Sequence, residues 1–426
     1  MSSPYKTFSC ITYGCKVNFA DSSSISRDLI NLGYSQINKD EIADIYIINT
    51  CSVTDLADRK AQKLIKKLNF KSPTSKIIVT GCYAQLKPQQ IINIPGVDYV
   101  VGMNEKLDVN SYVVENNYDT NVSEINNIFN ISHSTNERTR AFIKVQDGCD
   151  YSCTYCTIPN ARGTSRSDTV NNTVMKIKEI LNSNIKEVVL SGINIGDFGV
   201  KNKQSFNQLL IALENLDKLY RYRISSIEPN LINDNMFDVF RKSSKWVKHL
   251  HIPLQSGSDK ILKKMKRRYD LKLYKDKILK LKKMFPDLCI GVDVIVGFPG
   301  ETDEDFNETY NFIKKMDISY LHVFTYSRRE NTKADKFSDQ INDKIKKARR
   351  IVMQKLSDHK FKYFVNKNIN DVREVLFENY ENGLLSGLSD NYMKVFVPGN
   401  EKYVNTVQKV RILNNDKFIF GEIVND

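Results

Sequence analysis

Residues 146–163 read QDGCDYSCTYCTIPNARG, a segment in which three cysteines, Cys149, Cys153 and Cys156, share one short loop. The loop follows a predicted strand over 142–146, and barrels of alternating strands and helices carry their active sites at strand ends of this kind. Three thiolates on one loop can bind three irons of a 4Fe–4S cube, which leaves the fourth iron open to another ligand. A structural zinc or cluster site normally closes with a fourth ligand, and no neighbouring Cys or His in the sequence supplies one.

The spacing C-x3-C-x2-C is the signature of radical S-adenosylmethionine chemistry, in which the open iron chelates the amine and the carboxylate of the methionine part. An electron from the cluster then cleaves the sulfonium bond homolytically, so the cofactor carries the difficult chemistry and the protein positions it. Cys149, Cys153 and Cys156 are therefore predicted to be both catalytic and metal-binding. A zinc-containing module is the alternative, and metal analysis discriminates between the two.

Four further features of this region could bind the cofactor. Tyr155, between the last two cysteines, is an aromatic that could pack on adenine, although plain loop packing also explains it. SGIN and SSIEP end the second and third predicted strands, and Glu228 could accept hydrogen bonds from ribose hydroxyls or lie in a surface turn. VGFPGET ends the fifth strand with glycines that allow the backbone close to adenosine. The predicted cofactor-binding residues are Tyr155, Ser191, Gly192, Asn194, Ser226, Glu228, Gly297 and Pro299.

Three other cysteines, Cys15, Cys51 and Cys82, are far apart in sequence but share one structural position. Each lies within about two residues of the end of a predicted parallel strand, where the ligands of doubly wound sheets bind. The three can converge on a second cluster that again leaves one iron open, or they can be unrelated buried cysteines. Cys10 and Cys289 lie within or at the start of strands and are expected to be core residues.

Alternation of strand and helix predicts an α/β fold with a small all-β module at the end. Four strands predict a doubly wound parallel N-terminal sheet, six strand–helix units predict a partial (β/α)6 barrel, and five short strands predict a small C-terminal barrel. The expected boundaries are 1–118 for the N-terminal domain, 119–138 for a linker, 139–369 for the partial barrel and 370–426 for the C-terminal barrel.

The chain of 426 residues carries a formal net charge of +13, unevenly distributed. Residues 241–285 contain 16 Lys or Arg against three Asp, a block that suits nucleic acid or forms a solvated helix face. The polar start MSSPYKTFSC predicts no secretory signal. No apolar run approaches the roughly 20 residues that a membrane span needs. We therefore expect a cytoplasmic protein without membrane contact, in which the eight cysteines bind metal or act in catalysis rather than form disulfides.

These motifs resemble those of the tRNA methylthiotransferases over nearly the whole chain. That family joins an N-terminal domain with three cluster-binding cysteines to a radical S-adenosylmethionine barrel and a C-terminal TRAM domain. GCKVN at 14–18 and NTCSVTDLADRK at 49–60 look most like the subgroup that acts on threonylcarbamoyladenosine beside the anticodon. The remaining matches are TGCYAQ at 80–85, the 146–163 segment, SSIEP, HIPLQSGSD at 251–259 and VGFPGET.

The resemblance implies two 4Fe–4S clusters and two roles for S-adenosylmethionine. One molecule methylates a sulfur carried on the cluster of Cys15, Cys51 and Cys82. Another is cleaved at Cys149, Cys153 and Cys156 to a radical that takes the hydrogen from C2 of the adenine, where the methylthio group is delivered. The implied partner is the anticodon loop of tRNA with N6-threonylcarbamoyladenosine at position 37, while no motif identifies the sulfur donor or the electron donor.

The same resemblance leaves three alternatives open. The chemistry could act on isopentenyladenosine in tRNA or on a ribosomal protein, or the chain could be an iron–sulfur RNA-binding protein without catalysis.

Lys16, beside Cys15 in GCKVN, could meet the carboxylate of the threonylcarbamoyl group or point to solvent. YSRREN at 326–331 departs from the family, which usually has glycine near Asn331, so no role is predicted for Arg328 or Arg329.

Overall fold

Short runs of β-branched residues form the N-terminal sheet. The structure, a computed structural model, describes residues 7–115, 120, 122–134, 139–415 and 418–424. Every residue of IYIINT in the second long strand is buried, as a parallel sheet covered by helices on both faces requires. The elements are β1 (Thr7–Thr12), α1 (Lys16–Asn31), β2 (Ser35–Gln36), β3 (Ile45–Thr50), α2 (Asp55–Lys71), β4 (Lys76–Gly81), α3 (Cys82–Leu86), α4 (Pro88–Ile92) and β5 (Tyr99–Val101).

The strands of this sheet run parallel in the order β2-β1-β3-β4-β5. Alternate residues of β3 point to opposite faces: Ile47 packs in the cluster that contains Ile25 of α1, and Ile48 packs in the cluster that contains Ile65 of α2. The predicted doubly wound parallel sheet is therefore confirmed. The short edge strand β2 was not predicted, because its two residues, Ser35 and Gln36, are exposed and carry no apolar signal.

Six parallel strands in sequence order form the partial barrel that the sequence predicts. Parallel pairing joins β7 to β10, β10 to β11, β12 to β13 and β13 to β14, and parallel bridges such as Ser226 to His251 connect β11 with β12. The elements are β6 (Ser132–His133), β7 (Arg140–Lys144), β8 (Gln146–Asp147), α5 (Ile158–Arg162), β9 (Arg166–Ser167), α6 (Val170–Leu181), β10 (Glu187–Ser191), α7 (Phe206–Glu214), β11 (Arg221–Ile224), α8 (Asp234–Lys242), β12 (His249–His251), α9 (Asp259–Lys264), α10 (Leu271–Met284), β13 (Cys289–Val296), α11 (Asp303–Lys315), β14 (Tyr320–Thr325) and α12 (Asp343–Asn366).

The segment predicted as a linker, 119–138, contributes to the barrel sheet where it is described. Its strand β6 pairs antiparallel with β7, and Ser132 donates a hydrogen bond to Asp21 of α1 at 2.6 Å. Residues 119, 121 and 135–138 of the predicted linker lie outside the described residues. The described part therefore helps to seat the N-terminal domain against the first barrel strand.

Five antiparallel and parallel pairings close the C-terminal module into a barrel, as predicted, in the order β15-β16-β17-β19-β18. Its strands are β15 (Val372–Glu381), β16 (Leu384–Ser389), β17 (Lys394–Pro398), β18 (Val407–Asn415) and β19 (Ile419–Ile423). Tyr392, in the turn between β16 and β17, stacks on His249 with ring centroids 4.0 Å apart. Arg221 of β11 donates to the Leu388 carbonyl at 3.0 Å, so this module contacts the amino-terminal ends of the larger barrel's strands.

Within the described residues, no helix is both long enough and apolar enough to cross a membrane.

Candidate functional site

The cysteine loop leaves the barrel immediately after β7, and the buried side chain of Gln146 holds it in place. The Gln146 amide nitrogen donates to the Gly148 carbonyl at 2.7 Å. Its amide oxygen accepts hydrogen bonds from the backbone nitrogens of Ile193 and Asn194 at 2.9 and 2.7 Å. One side chain therefore fixes the cysteine loop relative to the loop that follows β10, and both loops are strand-end loops of the barrel.

Cys149, Cys153 and Cys156 line one cavity of about 210 Å³ at this end of the barrel. Two buried side-chain oxygens in its lining, Asn194 Oδ1 and Gln255 Oε1, have no hydrogen-bond partner within the described part of the chain. Buried polar atoms without partners are rare, and a bound ligand is one explanation. The donor set of three thiols and the two unpaired oxygens fit a cluster with a polar ligand beside it.

Four of the eight predicted cofactor-binding residues line this cavity: Tyr155, Asn194, Ser226 and Glu228. The other four lie outside its lining. Ser191 donates to the Val189 carbonyl at 3.3 Å, and Gly192 packs against Gln146. The Gly297 nitrogen donates to Glu301 at 2.6 Å, and Pro299 is buried in the turn before α11.

Arg267 was not singled out from the sequence, although it contacts the cysteine loop directly. It donates to the Cys153 sulfur at 3.1 Å and to the Tyr155 hydroxyl at 3.4 Å, and it forms an ion pair with Glu228. Two further residues were missed: Asp293, which lines the cavity, and His251, which contacts the lining residues Ser226 and Asp293. The Ser226 hydroxyl, the His251 ring and the Asp293 carboxylate form a hydrogen-bonded chain. Ser226 Oγ lies 2.5 Å from His251 Nδ1, and His251 Nε2 lies 3.0 Å from Asp293 Oδ1. His251 begins the HIPLQSGSD motif at 251–259, which could have drawn attention to it, whereas the sequence signal for Asp293 was its position in a predicted strand.

Burial governs the protonation of the thiols in the absence of metal. It raises the pKa of Cys149 and Cys156 to about 12, and it raises the pKa of Cys51 to about 11, with the nearby Cys82 adding to the effect. A cysteine binds metal as the thiolate, so cluster binding displaces these thiol protons. Among the described residues, no three His, Cys, Asp or Glu side chains are close enough together to bind a single metal ion. A 4Fe–4S cube does not need such a group, because each thiolate binds a different iron.

Cys15, Cys51 and Cys82 occupy the same end of three neighbouring strands. Cys15 follows β1 and precedes α1, Cys51 directly follows β3, and Cys82 begins α3 directly after β4. The strands are adjacent in the sheet. Gly14 has φ +105°, and a Cβ added to it would lie 2.7 Å from the Cys51 Cβ. The loop of Cys15 therefore packs directly on Cys51, and only glycine allows this approach.

A fully buried arginine connects the two cysteine sites. Arg162, at the end of α5, donates to Asp147 at 2.9 Å and to the side-chain oxygen of Asn18. Burial alone would lower its pKa, but Asp147 and the thiols of Cys82 and Cys15 outweigh burial and raise it. Arg162 is therefore a permanent positive charge next to both the cysteine loop and the N-terminal cysteines.

A second cavity, of about 200 Å³, lies between the N-terminal domain and the barrel. Val53 and Thr54, which follow Cys51, line one side of it, and Phe324, at the end of β14, lies on another. Tyr155, Cys156, Ile158, Gln255 and Asp293 line both this cavity and the first one. The two cavities are therefore neighbours, and together they extend from the cysteine loop to the loop of Cys51.

Lys16 is half-buried at the start of α1. Burial, followed by the positive charges of Arg223 and Arg140 in the barrel, lowers its pKa to about 8. Glu187, at the start of β10, opposes that effect. The electrostatic neighbours of the Lys16 ammonium are thus three barrel side chains and the adjacent Cys15. Lys16 therefore lies at the boundary between the N-terminal domain and the barrel.

Comparison with known proteins agrees with this architecture. Residues 143–313 match the Radical SAM superfamily, and residues 7–102 match a family described as uncharacterized protein family UPF0004. The threonylcarbamoyladenosine tRNA methylthiotransferase of Bacillus subtilis is 40% identical over 94% of this chain and 92% of its own length. That of Thermotoga maritima is 37% identical over 96% and 94%. The chain belongs to the tRNA methylthiotransferase family.

Another relative carries a different substrate in its name. The tRNA-2-methylthio-N(6)-dimethylallyladenosine synthase of Clostridium botulinum is 33% identical over 96% of this chain and 94% of its own length. Among solved structures, the radical S-adenosylmethionine methyltransferase TsrM from Kitasatospora setae aligns with a TM-score of 0.55 at 11% identity over 78% of this chain and 77% of its own. At this identity the likeness shows the fold alone. Membership of the radical S-adenosylmethionine superfamily implies one 4Fe–4S cluster and S-adenosylmethionine as cofactors.

Proposed function

We propose that this chain attaches a methylthio group to C2 of N6-threonylcarbamoyladenosine in the anticodon loop of tRNA, at position 37. The observation that carries the proposal is the neighbouring pair of cavities, which joins the cysteine loop of the barrel to the loop of Cys51. A reaction that activates a carbon at one site and delivers sulfur from another needs both sites within reach of one bound base. Relatives at 40% and 37% identity carry this activity in their names.

The barrel cysteines and the lining of the first cavity have the chemistry to hold the cluster and S-adenosylmethionine. When bound, this pair supplies radical chemistry at C2 of the base. Arg267 donates a hydrogen bond to the Cys153 sulfur, and such bonds to charged groups stabilise the thiolate. Asn194 and Gln255 present unpaired oxygens to the cavity, where they can accept hydrogen bonds from the cofactor's amine.

We further assign a second 4Fe–4S cluster to Cys15, Cys51 and Cys82. Their convergence at one sheet edge supports it, together with Arg162, whose buried positive charge can offset the negative charge of a thiolate-bound cluster.

The test of the second cluster is the iron content after anaerobic reconstitution. Replacing Cys149, Cys153 and Cys156 by Ala should halve the iron, and Cys51→Ala should abolish methylthiolation while deoxyadenosine still forms. Loss of deoxyadenosine in Cys51→Ala with an intact barrel cluster would contradict this division.

Lys16 supports threonylcarbamoyladenosine as the substrate, because that base carries a carboxylate and isopentenyladenosine does not. Its ammonium lies among barrel cations at the domain boundary, where an incoming anion would be attracted. The decisive experiment offers purified, reconstituted enzyme tRNA that bears either modification and analyses the nucleosides by mass spectrometry. Methylthiolation of the isopentenyl form alone would overturn the substrate assignment, and absence of deoxyadenosine in every condition would overturn the radical chemistry.

A further inference from the structure

The interior of the partial barrel contains an arginine whose hydrogen-bonding groups are only partly used. Tyr222 and Ile224 of β11 pack in the hydrophobic cluster that the barrel shares with its helices, so Arg223 between them faces the interior. Arg223 is fully buried, and its Nε donates to Glu187 at 2.8 Å. Its terminal nitrogens, Nη1 and Nη2, have no hydrogen-bond partner among the described residues. The centre of the Tyr392 ring lies 4.5 Å from the guanidinium carbon, a contact that offers no oxygen or nitrogen acceptor. Buried donors without acceptors are rare and costly, and a bound ligand is one explanation for them.

Glu187, the acid that contacts Arg223, is shared with other arginines. It accepts a hydrogen bond from Arg221 at 2.6 Å as well as the one from Arg223, and an Arg140 nitrogen lies 3.9 Å from its carboxylate. Arg140 also pairs with Glu378 of the C-terminal barrel at 2.5 Å. Three arginines thus share two carboxylates, so these contacts leave one positive charge without an acid.

Lys16 of α1 adds another cation to this group. Within the part of the chain that the structure describes, its ammonium forms no ion pair and no hydrogen bond. Burial is the first cause of the lowered pKa of Lys16, repulsion from Arg223 is the second and repulsion from Arg140 the third, while Glu187 and Cys15 oppose them. Cations held close together beside unpaired N–H groups favour the binding of an anion.

The barrel interior is open to solvent along one edge, called here the edge opening. The strand β14 lies at the end of the sheet β12-β13-β14. Leu321 packs in the outer cluster, so His322 and Phe324 face the interior, and both are nevertheless exposed. Partial burial and the charge of His251 lower the pKa of His322, and the charge of Lys16 lowers it further. Lys16 therefore lies beside the edge opening, through which a substrate group can reach it.

We propose, on the basis of the function proposed above, that Arg223 together with Lys16 binds the carboxylate of the threonylcarbamoyl group. A guanidinium with two unpaired terminal nitrogens matches the two oxygens of a carboxylate. Phe324, which flanks the edge opening, also lines the cavity between the N-terminal domain and the barrel. A base held in that cavity can therefore extend the substituent on its N6 through the edge opening into the interior. Arg223 and Lys16 are then the residues that select this substituent over an uncharged one.

The interior position favours this carboxylate over the other anions of the reaction. Phosphates stay on the backbone of the RNA, whereas Arg223 is fully buried. The carboxylate of S-adenosylmethionine belongs with the cysteine loop, and neither Arg223 nor Lys16 lines the cavity there. The unpaired side-chain atoms of that cavity, on Asn194 and Gln255, are oxygens, which accept rather than donate.

The test compares two anticodon stem-loops that differ in one functional group. One bears threonylcarbamoyladenosine, and the other bears the same nucleoside with an uncharged carboxamide in place of the carboxylate. Full-length reconstituted enzyme is assayed anaerobically, and kcat/KM for methylthiolation is measured by mass spectrometry. The wild type should prefer the carboxylate at least about tenfold, as charge-assisted hydrogen bonds imply. Lys16→Met removes one donor, and Arg223→Lys keeps a cation for Glu187 but removes the fork, so each should lower this preference at least about threefold.

Lys60→Met is the matched control, because Lys60 is an exposed lysine of α2 in the same domain and its loss removes the same charge. Deoxyadenosine formation without tRNA should be equal in all four proteins, which shows that the barrel cluster is retained. If Arg223→Lys does not retain it, Lys16→Met decides the question, because no acid loses an ion pair there.

Two results would overturn the assignment: an unchanged preference in Lys16→Met, or an equal loss of kcat/KM for both stem-loops, which would indicate contact with phosphates. A wild type that modifies threonylcarbamoyladenosine without preferring it to the carboxamide would overturn the assignment and leave the proposed function standing. A wild type that modifies neither stem-loop would overturn the proposed function itself.

Discussion

At the scale of single residues, a chain of buried charges holds the two cysteine sites together. Asp21 of α1 contacts Lys106 and Lys144 at 2.8 Å each. Burial alone would raise the pKa of Asp21, but these two lysines outweigh burial and hold it well below its usual range. Asp147 and Arg162 extend the chain to the cysteine loop. Buried pairs of this kind contribute little over an apolar core, yet removing one partner leaves the other unpaired and is strongly destabilising.

We therefore expect Arg162→Met to destabilise the enzyme by about 3–5 kcal/mol, because it leaves Asp147 and Asn18 buried without this partner. The change should appear as a lower urea midpoint of the reconstituted protein under anaerobic conditions. The matched control is Arg241→Met, since Arg241 is exposed and, among the described residues, forms an ion pair only with Asp238, one turn away. In the double variant with Asp147→Asn, the loss should be smaller than the sum of the single losses, and simple additivity would contradict the coupling.

The sequence was informative about the thiols and much less so about their neighbours. Local spacing identifies Cys149, Cys153 and Cys156, and strand ends identify Cys15, Cys51 and Cys82, because both signals are short-range. Arg162 and Asp147 both lie in the 146–163 segment, but spacing alone does not predict that they pair. Arg267 contacts a thiol that is more than a hundred positions away, which no local pattern predicts. The motif of Gly297 could be recognised from the sequence, whereas the hydrogen bond of its backbone nitrogen to Glu301 could not. Its role in cofactor binding stays a prediction.

At the scale of elements, the loop YSRREN fastens the barrel rim to the N-terminal domain. Arg329 is buried and donates to Ser52 at 2.6 Å and to Asp55 and Asp58 at 2.7 Å each. These three acceptors belong to the loop after Cys51 and to the first turn of α2. The Asp55 nitrogen in turn donates to Ser327 at 3.2 Å. The loop thus sets the position of Cys51 relative to the cavity beneath it.

The departure from the family at Asn331 is explained by its backbone. Asn331 has φ +66°, the left-handed conformation that glycine adopts freely. Asparagine tolerates this region better than other residues with side chains, so the turn after Arg329 keeps its shape without glycine. The departure at Asn331, because of which no role was predicted for Arg329, is therefore a substitution that the backbone permits. The contacts of Arg329 with residues 52–58 could not be predicted, because the two segments are far apart in sequence.

Arg329→Ala should separate the two halves of the reaction. Loss of its three hydrogen bonds removes the ion pair of the buried Asp58 with Arg329 and releases the Cys51 loop. Methylthiolated product should therefore fall at least about tenfold, as a misplaced reacting group implies. Deoxyadenosine formation in the same assay should persist. Arg328→Ala is the control, because that side chain is exposed and its ion pair, within the part of the chain that the structure describes, is with Asp335 alone. Equal loss of deoxyadenosine and product would show that Arg329 acts on the barrel itself.

At the scale of the whole molecule, the basic block of the sequence does not form one uniform basic surface. Within the basic block 241–285, Lys248, Lys260 and Lys280 form ion pairs, and Arg267 is directed inward at the cysteine loop. The block is therefore not one continuous basic face. The net charge of a segment can be counted from the sequence. Which lysines form ion pairs cannot, because their acidic partners, such as Asp287 and Asp305, belong to other elements.

The C-terminal barrel carries an aromatic surface suited to RNA. Phe396 and Phe418 lie with ring centroids 5.1 Å apart, and Phe418 and Phe420 lie 6.4 Å apart. The Lys394 ammonium lies 5.3 Å from the centre of the Phe396 ring. Proteins that bind unpaired bases combine stacking aromatics with cations near the backbone phosphates. This surface belongs to a module without cysteines, so it is separate from both proposed clusters.

Phe418→Ala should therefore weaken binding of the anticodon stem-loop by about 1–3 kcal/mol, the loss expected for one stacked base. Deoxyadenosine formation without tRNA should be unchanged, because Phe418 lines neither cavity. Phe70→Ala is the matched control, since Phe70 is 89% exposed on the distant helix α2 and Phe418 is 46% exposed. Filter binding at several salt concentrations checks the result. The salt slope should stay constant, because a ring displaces no counterions from phosphates; a shallower slope, or equal loss in the control, would remove Phe418 from the RNA-binding surface.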